Sequence, residues 1–500
     1  MDNLNFRQKK IKEVFLKTDK NILVQAGPGT GKSTTMLYLA KYLDIFDKGV
    51  MLAFNKRIVE ELNEKLAKKN IKNVKADTLH AFGLSLIRKA NIKFKIDKNK
   101  FYKIYNSLDE YYMQKIKSLS QKEEMTVMFN LKFLDNFSRI YINEDFDFIK
   151  KTAINAGIWE VSDNSFIREV WKEFISKRND INSKNYKIID FTDMLYYPVL
   201  FNLKVEESFT HVFIDESQDL SLLQHRIFRL ICENPSFKKF ISVGDYRQSI
   251  NGFAGASPNS FDLFKEYENT VILPLDITYR CPPIITDELV KIYSGITPFK
   301  KDGGNLSVKN EKFINEIPEK SLVLCRNTAP LIKMSFMLAN INKKCYILGK
   351  DTLNSVKNQL RNYMDLNIYK ALADASSELA EVSKKNNQES RIKFYLLKDA
   401  IEVATELKNN FNLPYGSTLK KYFNKASYLF TPEENSIVLS TIHKSKGLEA
   451  KNVFLINKKK LMPSKMAKSK VALIQEKNLF FVAMSRSSEN FYYLNIEIDN

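Results

Sequence analysis

The sequence predicts an α/β protein with two parallel sheets, each interrupted once by a mostly helical insertion. Three observations lead there. Short β-branched runs of the kind that form buried parallel strands recur along the chain. Stretches at helical spacing alternate with them, as layered α/β folds require. Helix breakers are also unevenly spread: no proline falls between Pro28 and Pro198, and no glycine between Gly83 and Gly157.

Taken in order, the early strand runs are Asn21–Gln25, Val50–Phe54, His211–Ile214, Phe240–Val243 and Val271–Leu273. The late ones are Ser321–Leu324, Cys345–Leu348, Ile437–Ser440, Val453–Ile456 and Phe491–Ile496. The breaker-poor stretch between the first group's halves reads as a helical insertion over 84–190. A second, over 350–434, holds long helical patterns such as Ala371 to Lys385 and Phe394 to Lys408. The implied organisation is a first α/β domain from 1–83 and 191–275 and a second from 276–349 and 435–500. The Lys-rich stretch Lys458–Lys470 reads as an exposed loop.

Composition narrows the function. With 500 residues, 44% hydrophobic and 27% charged, the chain is long enough to bury a large core without metal or disulfide staples. Cys232, Cys281, Cys325 and Cys345 form no C-x-x-C pair, which argues against a zinc ribbon or disulfide framework and for a reducing cytoplasm. No apolar run approaches the ~18 residues of a membrane helix, and the N-terminus lacks a signal-peptide core. Lys and Arg number 78 against 58 Asp and Glu, a formal charge of +20. Such an excess favours a polyanion such as nucleic acid.

Residues Ala26-Gly27-Pro28-Gly29-Thr30-Gly31-Lys32-Ser33 form a phosphate-binding loop, with Ala26 where the strict pattern has glycine. It follows a strand and opens the helical run from Thr34 to Leu43. Its backbone N–H groups and helix N-terminus favour phosphate oxygens. Lys32 is expected on the β/γ-phosphates and Ser33 on Mg²⁺. The run His211-Val212-Phe213-Ile214 ends in Asp215-Glu216. At a parallel strand's C-terminal end, Asp215 is expected to hold Mg²⁺ and Glu216 to activate the attacking water.

From Leu4 to about Leu494, the chain resembles superfamily 1 DNA helicases of the UvrD/Rep/PcrA type, as a compact member. The resemblance rests on motifs in order: Leu4-Asn5-Phe6-Arg7-Gln8; Ala53-Phe54-Asn55-Lys56; Thr78-Leu79-His80-Ala81-Phe82-Gly83; Asp215-Glu216-Ser217-Gln218-Asp219; Val243-Gly244-Asp245-Tyr246-Arg247-Gln248-Ser249-Ile250-Asn251-Gly252-Phe253-Ala254-Gly255-Ala256; Tyr279-Arg280; Thr441-Ile442-His443-Lys444-Ser445-Lys446-Gly447-Leu448-Glu449; and Glu476 through Arg486. It implies two RecA-like P-loop domains with ATP in the cleft between them. It implies that Gln8 reads adenine, Tyr279 packs on it, and Glu449, beside Gly447, meets the ribose. The P-loop through Thr34 completes the ATP contacts. Gln248, Arg280 and Arg486 would act on the γ-phosphate. Phe54, Asn55, Thr78, His80, Phe82, Phe253 and His443 would contact DNA.

The implied function is an ATP- and Mg²⁺-dependent helicase or translocase moving 3′→5′ on single-stranded DNA and acting at single-strand/duplex junctions. The alternatives are a translocase or nucleotide-gated DNA-binding protein that needs a partner, such as a nuclease or a replication or recombination factor, to unwind. Ala254 and Thr278 depart from the family pattern, which has arginine and asparagine there. The second insertion is short, and the chain stops soon after Arg486, so no fused nuclease is expected.

Overall fold

The computed structural model describes residues 4–53, 56–155, 164–183, 187–250, 255–257, 259–384, 388–465, 467 and 470–497. The chain divides into two compact units, Met1–Asp276 and Ile277–Asn500.

The first unit carries strands β1 (Asn21–Ala26), β2 (Gly49–Ala53), β3 (Val74–Thr78), β4 (Phe94–Ile96), β5 (Lys187–Ile189), β6 (His211–Ile214), β7 (Lys239–Gly244) and β8 (Thr270–Leu275). Six of them form one sheet in the order β3-β2-β6-β7-β1-β8, parallel throughout. Central strands are buried on both faces, so they read as continuous apolar runs. Along β1, Ile22 and Val24 enter one apolar layer while Leu23 enters the other.

The insertion is helical, but β4 and β5 close its base as a two-stranded parallel ribbon. That ribbon is the one strand pairing among the described residues of the mostly helical stretch 84–190. The insertion has a core of its own around Phe101, Leu131, Trp171 and Phe174. It is tied to the helix Asp193–Leu200 by a buried ionic cluster. Arg139 reaches Asp135 (2.6 Å), Asp190 (2.6 Å) and Asp193 (3.0 Å), and Lys100 reaches Asp193 at 2.8 Å.

The second unit holds β9 (Ile277–Thr278), β10 (Thr297–Pro298), β11 (Asn305–Asn310), β12 (Leu322–Cys325), β13 (Cys345–Ile347), β14 (Ile437–Thr441), β15 (Ala450–Ile456) and β16 (Ser487–Asn495). Its sheet runs β11-β16-β15-β12-β14-β13, again all parallel. Among the described residues its insertion has no separate core. Ile368, Ala371, Leu397 and Val403 join the same cluster as Val323, Leu439 and Phe454 of the sheet. The insertion therefore extends the core it borders. Lys458–Leu461 forms a helical turn, which corrects the exposed-loop expectation for Lys458–Lys470 over those four residues alone.

All four cysteines are free thiols. Among the described residues, no helix is long and apolar enough to cross a membrane.

Gly83 marks a close helix crossing. A Cβ there would lie 2.1 Å from the carbonyl oxygen of Met194, a backbone atom that cannot rotate away. Gly83→Ala is expected to lower stability by ~1–3 kcal/mol through overpacking, measured as a shift in the denaturant midpoint. An unchanged midpoint would show that the two helices separate freely.

Candidate functional site

Strand order builds the phosphate site. The loop after β1 holds Gly27–Gly31, and the helix Lys32–Ala40 begins at its end with Gly31 as its cap. Asp215 and Glu216 follow β6. Because β7 lies between β6 and β1, Asp245 and Gln248 emerge between the phosphate loop and the two carboxylates.

Side chains then knit the three loops together. Lys32 Nζ lies 3.0 Å from Glu216 Oε1. Ser33 Oγ donates to Asp215 Oδ2 at 2.8 Å. Gln218 Nε2 donates to Glu216 Oε2 (2.6 Å), while its Oε1 accepts the Asp245 backbone N–H (2.8 Å). Asp245 in turn accepts from Gln248 Nε2 (2.8 Å) and Arg247 Nε (2.6 Å). Arg247 Nη2 donates to the carbonyl of Ala26 at 2.9 Å, returning the network to the phosphate loop.

Two backbone features make this possible. Glu216 sits in the left-handed region at φ 52°, a conformation costing a non-glycine residue ~1 kcal/mol or more. Gly244 must lack a side chain, since a Cβ would fall 2.4 Å from Ser217 Oγ and 2.7 Å from Gln218 Oε1.

The electrostatics follow. Burial opposes the Lys32 ammonium, but Glu216, Asp215 and Asp245 outweigh it and hold its pKa above the ordinary value. Burial, and then the adjacent Glu216, push the Asp215 carboxyl up. The site is thus a cation wedged against two acids that repel each other. Ser33 and Asp215 present hard oxygens, a donor set that fits Mg²⁺. That ion takes few protein ligands and completes its shell with water and phosphate oxygens.

Gln8 is buried beside this helix. Its Nε2 donates to Thr35 Oγ1 (3.0 Å) and its Oε1 accepts from the Asn5 backbone (3.1 Å). Thr30 is also buried, with Oγ1 donating to Gly27 O at 3.0 Å. Pro28, Gly29 and Thr34 lie on the same loop and helix start.

Elsewhere on the first unit, His80 stacks on Phe191 with ring centroids 3.8 Å apart and planes 18° apart. Phe191 is 63% exposed, which is unusual for phenylalanine. It tops the tight loop Asp190–Asp193, whose ends exchange backbone-to-carboxylate bonds at 2.9 and 3.0 Å. Thr78 caps the helix that carries His80, accepting from Ala81 N at 3.1 Å. Phe82 is corrected: it is 2% exposed inside the core and cannot stack on a base. Phe54, Asn55, Phe253 and Ala254 lie outside the described residues.

The second unit gathers the remaining candidates. Arg280 Nε pairs with Glu449 Oε2 at 2.6 Å, and Nη1 donates to Ser485 O at 3.1 Å. Thr278, buried, accepts from the backbone N–H groups of Arg280 and Cys281 at 3.3 Å each, folding the turn that aims Tyr279 outward. Tyr279 packs on the exposed Phe299, centroids 4.6 Å apart. Arg486 is buried, donating to the carbonyls of Val482 (3.0 Å) and Leu448 (3.3 Å). Gly447 lies in the left-handed region at φ 87°.

His443 lines a groove of about 790 Å³ within this unit, with Arg326, Asn327, Thr441 and five lysines facing two carboxylates. Lys459, Lys460 and Lys465 of the lysine-rich stretch are among its walls. Burial, and then Arg326, push His443 down to about 3.

Sequence reasoning missed Phe191, Phe299, Arg326 and Asn327 as site residues. Arg326 and Asn327 had a signal: they directly follow a buried strand in a parallel sheet, where sites form. Phe191 had none, because only the fold reveals its exposure.

Fold and geometry together define a P-loop nucleotide-binding protein with a basic groove. Residues 4–268 match the model of the UvrD/REP helicase N-terminal domain, more than half of the chain, and the chain belongs to that family. Its relatives include ATP-dependent DNA helicase Rep of Buchnera aphidicola from Schizaphis graminum, 26% identical over 70% of this chain and 55% of that protein. ATP-dependent DNA helicase PcrA of Leuconostoc citreum is 24% identical over 55% of this chain and 37% of its own. An ATP-dependent helicase/nuclease protein of Oceanobacillus iheyensis is 29% identical over 17% of this chain and 8% of its own. The chain spans about half the length of the Rep relatives it matches.

Lys32→Ala is expected to cut ATP turnover by roughly 10²-fold or more, as removal of a preorganised charge does. Glu216→Gln is expected to keep nucleotide binding, measured by fluorescent-analogue titration, while turnover collapses. Loss of binding in that variant would assign Glu216 to structure.

Burial holds His80, His211 and His225 down at about 4, and His443 lower still, all below their ordinary 6.5. Unfolding therefore takes up protons. Stability from these groups is complete above about pH 6.5 and falls toward pH 4, by up to about 1.4 kcal/mol per pH unit for each histidine. Urea midpoints at pH 7 and pH 5.5 check this; equal midpoints would contradict it.

Proposed function

We propose that this chain is an ATP-driven motor on single-stranded DNA that moves 3′→5′ and unwinds duplex from a single-strand junction. The observation that carries the reading is the closed network from Lys32 through Glu216, Gln218, Asp245 and Arg247 to Ala26. A phosphate arriving at the loop must draw Lys32 away from Glu216. That frees the carboxylate to orient and deprotonate water. Gln248 and Asp245 sit where a changed Glu216 is felt at once, through Gln218. Mg²⁺, when held by Ser33 and Asp215, supplies charge neutralisation on the phosphates.

In this reading Gln8, Ala26–Thr34, Tyr279, Gly447 and Glu449 contact the nucleotide, and Arg280 and Arg486 sense its terminal phosphate. Arg280 would exchange the Glu449 carboxylate for phosphate. The strand lies over two places. One is the stacked pair His80–Phe191, with Thr78 beside it, where base stacking is worth ~1–3 kcal/mol and tolerates any sequence. The other is the groove with Arg326, Asn327 and His443, whose lysines match a phosphate backbone. Phe54, Asn55 and Phe253 complete the proposed DNA contacts.

The match to part of a helicase/nuclease favours a second reading, in which the chain is a translocase that unwinds only with a nuclease partner. Strand displacement separates the two. Duplexes with a 3′ tail are expected to open with ATP, and those with a 5′ tail to stay closed. ATP turnover with neither substrate opened would favour the partner-dependent translocase. Opening of the 5′-tailed substrate alone would overturn the polarity.

Phe191→Ala is expected to raise the strand concentration that half-saturates ATP turnover by about tenfold, from the loss of ~1–3 kcal/mol of stacking. An unchanged value would leave Phe191 without a role in strand binding.

A further inference from the structure

The helix Lys470–Met484 joins the two functional regions of the second unit. Glu476, near its middle, is 6% exposed. Its Oε1 accepts from Arg326 Nε (2.9 Å) and Nη2 (2.8 Å), and its Oε2 accepts the Ser464 backbone N–H (3.0 Å). Arg326 is the groove arginine, and Ser464 is also on the groove wall. Just past the helix end stand Ser485 and Arg486. Ser485 O holds Arg280 at 3.1 Å, and Arg486 is buried against Val482. Ser485 follows Glu476 by nine positions, a rise of ~14 Å at 1.5 Å per residue. One rigid element thus grips a groove cation at its middle and leads into both candidate phosphate-sensing arginines past its C-terminal end.

The chemistry of the grip matters. A guanidinium carries five donors in a planar fork. Glu476 takes two on one edge, both through the same oxygen, and fixes the plane that the groove presents. Arg326 keeps 24% of its side chain exposed, so a strand phosphate can meet it. A phosphate and Glu476 are both anions on one cation. Strand arrival must therefore weaken or tilt the Glu476 contact, and the carboxylate is fastened to the helix.

We propose that Glu476 is a positioning residue that couples strand occupancy of the groove to Arg280 and Arg486 through the helix Lys470–Met484. The proposal rests on the reading of the groove as a strand site. Glu476 touches neither strand nor nucleotide. It acts only through Arg326 and the helix, so its loss should affect activation by DNA rather than turnover itself. The single Arg326–Glu476 pair carries the link, so variants of either partner should be non-additive.

The test is steady-state ATP turnover of the full chain with oligo(dT) for Glu476→Gln, Arg326→Lys and the double variant. Glu476→Gln keeps the size of the side chain and removes its charge. For Glu476→Gln the expected result is basal turnover within about twofold of the parent, at least a fivefold smaller stimulation at saturating oligo(dT), and a half-saturating concentration moved less than threefold; Arg326→Lys is expected to lose stimulation too. The double variant should be no worse than the weaker single one. Full stimulation in Glu476→Gln would overturn the proposal. So would an equal drop in basal turnover with a lowered melting midpoint, the mark of a merely structural pair. Additive losses in the double variant would also overturn it. Lys444→Ala/Lys460→Ala tests the underlying reading separately. A raised half-saturating concentration supports the groove as the strand site; an unchanged one overturns that reading, and this proposal with it.

Discussion

The placement of two adjacent carboxylates beside one buried lysine is the constraint on which the first unit's site depends. Asp215 and Glu216 leave the same strand end, where burial and mutual repulsion both disfavour charge. Lys32, 3.0 Å from Glu216, makes the arrangement tolerable. Here the lysine belongs to the acids, and in the proposed reading the phosphates of a bound nucleotide compete for it. A site held together by a cation that the ligand must capture is poised to change when the ligand binds and again when it leaves.

The sheet order translates that change. Placing β7 between β6 and β1 lets Asp245 bond Gln218 on one side and Arg247 bond Ala26 on the other, while Gln248 is held by Asp245. Each member is buried and partnered, so the network has few intermediate arrangements. In the second unit the same economy recurs in another form. A single helix carries Glu476 at its middle and leads into Ser485 past its end, and a groove arginine hangs from Glu476.

Much of this was legible in the sequence because central parallel strands are buried on both faces and announce themselves as apolar runs. Every strand run read from the sequence falls on a strand. The missed ones are mainly edges and short ribbons. Val74–Thr78 carries Lys75, Asp77 and Thr78, and Asn305–Asn310 leaves Val308 64% exposed, so neither reads as a buried strand. The phosphate loop and the Asp-Glu pair were legible because their spacing is local. The Arg326–Glu476 pair, 150 residues apart, and the His80–Phe191 stack were not, since only the fold brings them together. Phe82 shows the converse. It stands in a motif that resembles a DNA contact, yet its side of the helix faces the core.

The most direct test of the motor reading is the steady-state ATPase rate with and without single-stranded DNA, at low and moderate salt. Strong stimulation is predicted, with a half-saturating DNA concentration that rises steeply with salt, because lysines and arginines displace counterions from the strand. A rate indifferent to DNA at both salts would contradict the reading. The Lys32–Glu216 site would then serve a nucleotide switch rather than a motor.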